Sequence, residues 1–210
     1  IVFYEKGMEK YFPERGTYAR RGSYPKEIYE GQEAFARLKK YRDYTCSVCL
    51  QFVRGDLVRN EKIRFPEKIA YEDEYYSFLV FMKSQRTRIT ADTLFYRRVR
   101  PNSTMTDKRN GRHFIGYAAL CERVTEWYQS GAAKKRWRWA VRMQAADFFK
   151  GAMCRIYFKL VPKDREMVEK ERLKLVQMGR QNICYGNWRV FLVCYGWPLY
   201  KWVRDKKELG

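Results

Sequence analysis

Three carboxylates stand side by side at Glu72, Asp73 and Glu74 in "FPEKIAYEDEYYSFLVF", residues 65–81, among aromatic and aliphatic neighbours. Adjacent acids at such a place have two possible employments. They decorate a helix N-terminus, where each gains about 0.3 to 1 kcal/mol from the helix dipole, or one of them moves protons. A carboxyl beside another carboxyl in a partly apolar setting has its pKa raised towards neutrality, which suits a general base. Further on, "YRRVRPNS" supplies Arg97, Arg98, Arg100 and Ser103. Guanidinium groups grip phosphate oxygens two at a time. Read as a strand, this segment turns Arg97 away from the side that carries Arg98 and Arg100. The other reading of the same arginines is a basic edge strand that resists aggregation.

Both groups need elements to hold them. Tyr75, Phe78, Leu79 and Met82 fall at i, i+3, i+4 and i+7, which predicts a helix opening at the acidic triplet. "GQEAFARLKKY" from Gly31 predicts a short amphipathic helix, and "GDLVRN" a shorter one. "CSVCLQFV" fits a buried strand or helix turn. "TRITADTLFYRRVR" has the β-branched and aromatic content of two short strands. Residues 13–30, rich in Gly, Pro and charge, read as irregular. From Asp107 the character changes to long helical patterns: "FIGYAALCERVTEWY", "KKRWRWAVRMQAADFFKGAMCRIYFKL" and "DREMVEKERLKLVQM". A last segment, "WRVFLVCYGWPLYKWVRDKK", is interrupted at Gly196 and Pro198. The sequence therefore predicts an α/β portion over residues 1–106 and a basic, aromatic-rich helical appendage over 107–210.

The 210 residues carry 44 basic and 24 acidic side chains, a net charge of +20 that calls for an anionic partner. Residues 107–210 hold the larger share, with 23 basic against 10 acidic, compared with 21 against 14 in residues 1–106. Of the six cysteines only Cys46 and Cys49 are closely spaced, and His113 is the sole histidine, so a zinc set is not expected. The thiols read as reduced and mostly buried. Ile1 opens what reads as the middle of a strand, so the sequence is expected to begin inside a longer protein. The longest uncharged run of the tail, residues 190–200, falls short of the roughly 20 residues that a membrane-spanning helix needs.

The order "CLQFVRGDLVRNEKIRFPEKIAYEDEYYSFLVF" followed by "LFYRRVRPNSTMT" resembles the later half of the catalytic domain of family 2 glycosyltransferases, over roughly residues 1–106. The resemblance implies a partial GT-A (nucleotide-diphospho-sugar transferase) fold that lacks its N-terminal nucleotide-binding half. It implies a sugar moved, with inversion, from a nucleotide-sugar donor to a glycan or lipid-linked acceptor in cell-surface polysaccharide synthesis. By the same resemblance Asp73 is the base that takes the acceptor proton and Glu72 its neighbour in support, with Glu74 left to the surface. Arg98, Arg100 and Ser103 then approach the donor diphosphate. The family's Asp-x-Asp element, which holds a divalent Mn or Mg ion, is absent and is expected upstream of Ile1, so no metal site is expected in this chain. Residues 1–210 alone are expected to be inactive.

Tryptophan mixed with Lys and Arg at 134–142 and 188–204 suits the headgroup region of an anionic leaflet. This predicts a cytoplasmic protein held peripherally on the inner face of the cell membrane. The alternatives are packing of these aromatics on one another, a basic nucleic-acid-binding module, and a helical scaffold. Nucleic acid is the less favoured partner, because no recognition motif is visible and acidic residues interrupt the basic ones.

Overall fold

Gly31 begins α1 (Gly31–Tyr41) at a place where a side chain has no room: a Cβ there would stand 2.1 Å from the Phe81 carbonyl oxygen. Its amide instead donates to the Ser84 carbonyl at 2.9 Å, at the far end of α3 (Glu72–Lys83). This is the first of several such fits in the computed structural model, which describes residues 2–4, 6, 20–92, 94–101, 109–183 and 188–208. The chain divides into two compact units, Ile1–Arg64 with Tyr76–Lys108, and Phe65–Tyr75 with Arg109–Gly210. The sequence-based division at 106 has no counterpart for the excursion of residues 65–75 into the second unit.

In the first unit α1 buries Ala34, Phe35 and Leu38, the i, i+1 and i+4 positions of its apolar stripe. Phe35 meets Phe78 of α3 and Tyr44 edge-on, with ring centroids 5.8 and 5.0 Å apart. Arg42, in the left-handed conformation, ends α1 by returning its amide to the Leu38 and Lys39 carbonyls. α2 (Gly55–Asn60) follows, with Asp56 in its first turn and Arg59 in its last. A buried polar knot fixes the approach to α1. The Asp43 carboxylate, 8% exposed, accepts from the amides of Arg21 and Gly22 and from the Tyr24 hydroxyl. Burial penalises this carboxylate, yet the Tyr24 hydroxyl and the two amides hold it below the ordinary carboxylate range.

The second unit is a stack of helices. Asn110 caps α4 (Gly111–Gln129) in a capping box completed by His113. α5 (Arg138–Lys150) lies along α4, and together they bury Phe114, Leu120, Val124, Val141, Phe148 and Phe149. Beyond Lys150 the coil loosens into a π turn over Gly151–Ile156 and a 3-10 turn over Tyr157–Lys159. Pro162 then opens α6 (Pro162–Met167), where its missing N–H costs nothing. α7 (Glu169–Met178) follows, then α8 (Trp188–Tyr195) and α9 (Trp197–Glu208), which are parted at Gly196. The single long helix predicted from residue 134 to 160 is thus four shorter pieces, the first a 3-10 turn over Lys135–Trp137.

The expected α/β fold, a partial GT-A domain, is not what the chain forms: it is mostly helical. Among the described residues the sheet consists of β1 (Val2–Tyr4) and β2 (Arg97–Val99), paired in parallel with Val2 opposite Arg97 and Tyr4 opposite Val99. Of the two strands expected in "TRITADTLFYRRVR", one becomes β2, and the other is reduced to a single bridge from Thr87 to Tyr29. β-branched and aromatic residues favour a pleated surface only where neighbouring strands provide one. "CSVCLQFV" makes a 3-10 turn at Val48–Leu50 and then an extended run, with Phe52 94% exposed.

Candidate functional site

Glu72, Asp73 and Glu74 form the first turn of α3, as the helix dipole favours. Glu72 is exposed, whereas Asp73 and Glu74 are half-buried, so the member that faces water is Glu72 rather than Glu74. What positions this turn is the residue ahead of it. Tyr71 sits at φ 67°, in the left-handed region, where a bulky side chain costs roughly 1–3 kcal/mol and persists only when its surroundings impose it. Those surroundings come from the second unit. The Tyr71 ring packs at 4.4 Å from Tyr117 and 5.7 Å from His113, both on α4, and the Arg109 guanidinium lies 5.5 Å from its centre. Gly116 makes the approach possible, because a Cβ there would stand 2.6 Å from the Ala70 carbonyl oxygen.

The electrostatics around the turn are cationic and partly dry. Burial raises the Tyr71 phenol above its ordinary pKa, while Arg109 and Arg155 pull the other way. Burial likewise raises Tyr75, opposed by Arg123, whose guanidinium lies 5.3 Å from the Tyr75 ring centre. The Nη1 of Arg109 is buried with no hydrogen-bond partner, leaving an unused donor next to Tyr71. Arg109 and Arg155 thus act on Tyr71 and Arg123 on Tyr75, the two tyrosines that flank half-buried Asp73 and Glu74 in the sequence. Tyr71 and Arg109 were not legible as site residues: no spacing signals a left-handed tyrosine, and Arg109 lies 38 positions away in the sequence.

The predicted diphosphate ligands lie elsewhere. Arg98 is on β2 and Arg100 just beyond it; both are exposed on either side of the buried Val99. Arg97, on the alternate position, is half-buried, and burial lowers its pKa. Arg98 and Arg100 belong to the first unit, Glu72 and Asp73 to the second. Ser103 lies outside the described residues.

The first unit also contains a cleft of about 650 Å³, into which Gln51, Phe52, Arg54, Asp56, Arg86 and Arg88 contribute. Gln51 Nε2 donates to the Ser77 hydroxyl, and that hydroxyl donates to the Cys46 carbonyl. The Gln51 Oε1 is buried without a partner. An orphan acceptor, an exposed ring and a pair of arginines give the cleft the equipment to hold a polar ligand with an apolar face.

A divalent metal finds no support in these residues: among the described ones, no three His, Cys, Asp or Glu side chains gather to hold an ion. No described helix is long and apolar enough to cross a membrane. Of the two segments expected to meet a bilayer, 134–142 is mixed: Lys134, Lys135, Arg136 and Trp139 are exposed, and Ala140 and Val141 are buried. Trp137 is half-buried with its Nε1 enclosed, and Arg138 stacks 4.5 Å from the Tyr128 ring centre. Comparison with family models, with curated proteins and with solved structures finds no match to this chain.

Proposed function

We propose that the chain carries the acceptor-side chemistry of a sugar transferase, with Asp73 as the base that deprotonates an attacking hydroxyl. The observation that carries this reading is the conformation of Tyr71. A left-handed tyrosine wedged between α4 side chains is an arrangement that fixes the carboxylates following it. Positioning of this kind is what a general base requires, since proton transfer demands hydrogen-bond reach before any tuning of acidity. The residue order of "YEDE" followed by "YRRVRPNS", and its resemblance to family 2 glycosyltransferases, support the same chemistry without requiring the sheet that the resemblance implied.

In this reading Asp73 accepts the acceptor's hydroxyl proton as the oxygen attacks the sugar's anomeric carbon, and the nucleoside diphosphate departs. Glu72 supports the base, and the resemblance assigns Arg98, Arg100 and Ser103 to the donor diphosphate. The donor is a nucleotide-sugar and the acceptor a glycan or a lipid-linked glycan. A divalent Mn or Mg ion is the cofactor that this reading implies. The working position is the inner, cytoplasmic face of the cell membrane. The test is transfer from a panel of nucleotide-sugars to glycan and lipid-linked acceptors. Asp73→Asn lowers kcat by about a thousandfold, within the span that general-base removal produces, and leaves acceptor KM nearly unchanged. A variant that keeps the parent rate overturns the assignment of the base.

A further inference from the structure

The last two helices of the second unit are apolar on two sides. On the inner side, α8 buries Val190, Val193 and Cys194, and Arg180 Nε donates to the Cys194 carbonyl. α9 is held by Trp197, which packs against Tyr157 and Phe158, with the Arg172 guanidinium 5.0 Å from its ring centre. Tyr200 adds an edge-on contact to Phe158. These contacts account for one face of each helix and leave the other.

The outer face carries Trp188, Phe191 and Tyr195 on α8, and Leu199, Trp202 and Val203 on α9, each at least 39% exposed. Their spacing, i, i+3, i+7 on α8 and i, i+3, i+4 on α9, makes an exposed apolar stripe on each helix. Phe191 and Tyr195 lie with ring centres 4.9 Å apart, so the stripe is an ordered surface rather than scattered exposed rings. Exposed Arg189 and Lys201 border it, and residues 188–208 hold five cations against two carboxylates.

We infer that this face docks on the surface of an anionic lipid bilayer, with α8 and α9 lying in the interface plane. Three observations select that occupant. The charge of the whole chain, +20, opposes a second copy of itself and favours an anionic sheet. The stripe mixes Leu and Val with Trp and Tyr, so part of it needs hydrocarbon rather than the flat faces of nucleobases. Arg189 and Lys201 can extend their heads to phosphate while their stems cover apolar surface. The face is independent of the transferase reading and would hold whatever reaction the chain performs. It also separates the two tail segments: 188–204 presents a stripe, and 134–142 exposes Trp139 as its one large apolar side chain.

The test is co-sedimentation of residues 1–210 with vesicles of phosphatidylcholine alone and of equimolar phosphatidylcholine and phosphatidylserine. The parent chain partitions onto the anionic vesicles, weakly onto the neutral ones, and less well as salt rises. The triple variant Trp188→Ser, Phe191→Ser, Trp202→Ser binds about tenfold less or weaker still, as loss of three interfacial anchors requires. Because all three side chains are exposed, its helical circular dichroism is unchanged. Vesicles with brominated acyl chains quench tryptophan emission of the parent chain, a readout that needs no variant. Parent-like binding by the triple variant, absence of quenching, or no binding by the parent overturns the inference. So does self-association that the triple variant abolishes, which would assign the face to a second copy. Binding to a single-stranded oligonucleotide that the variant loses, without vesicle binding, overturns it in favour of nucleic acid.

Discussion

The two units solve the problem of a stable interior in opposite ways. Among the described residues every buried charged side chain, Glu33, Lys39 and Asp43, belongs to the first unit. The second unit, with the same net charge of +10 as the first, buries among the described residues no charged residue and only Thr125 and Gln144 as polar ones. In both units cations also lie over rings, as Arg37 does over Tyr29 in the first and Arg138 over Tyr128 in the second. In the first unit the acids are saturated with donors. Glu33 takes Lys26 at 2.8 Å and Arg37 at 3.2 Å, and the Lys26 hydrogen bond does most to hold its carboxyl below the ordinary range. A high count of charges thus says little about where charge is structural. At equal net charge, the first unit is the one that buries ionised groups.

Variants that strike one unit and spare the other test this contrast, with amide hydrogen exchange in α1 and α4 reporting each unit separately. The largest effect is expected from Phe149→Ala. The ring is fully buried and its loss costs about 3–5 kcal/mol. Exchange should quicken across α4 and α5 and stay unchanged in α1. Equal loosening of α1 would show that the units are one cooperative body.

Asp43→Asn comes next. It sets an amide nitrogen against donors that now point at oxygen, at a cost of about 1–3 kcal/mol confined to the first unit. Acid should mimic it. A carboxyl whose pKa is depressed by folding contributes stability above its unfolded value, about 3.9, and loses it as pH falls through the folded value. The first unit should therefore loosen below about pH 4, ahead of the second, and Asp43→Asn should shrink that difference. Identical acid profiles for the two units would break the comparison. Asn110→Ala should have the smallest effect, about 1 kcal/mol from the lost cap of α4. Its signature is faster exchange in the first turn of α4 alone.

Local pattern carried several elements from sequence to structure. Phe35 and Leu38 marked α1, the acidic triplet with Phe78 and Met82 marked α3, and Gly196 marked the break between α8 and α9. In these cases the signal lies within one or two turns, where side-chain periodicity and backbone geometry act directly. The strands failed for the opposite reason. A strand is completed by a partner, and residues 87–96 contain the right side chains without supplying one. The candidate site divided in the same manner. The carboxylates were visible as a run of three acids. Tyr71, Arg109 and the Gln51–Ser77–Cys46 relay were not, because each depends on residues more than 25 positions apart.

The sequence by itself determined the cationic character of the chain, the helix that opens at Glu72, and the segments able to form an apolar stripe. Only the tertiary structure decided which carboxylate of three is exposed, which tryptophans turn inward, and which face of α8 and α9 remains open. The reason is common to all three. Periodicity says that a helix has an apolar side, but burial is settled by what packs against it, and here Val190, Val193, Trp197 and Tyr200 fill the interior while Trp188, Phe191 and Trp202 are left outside.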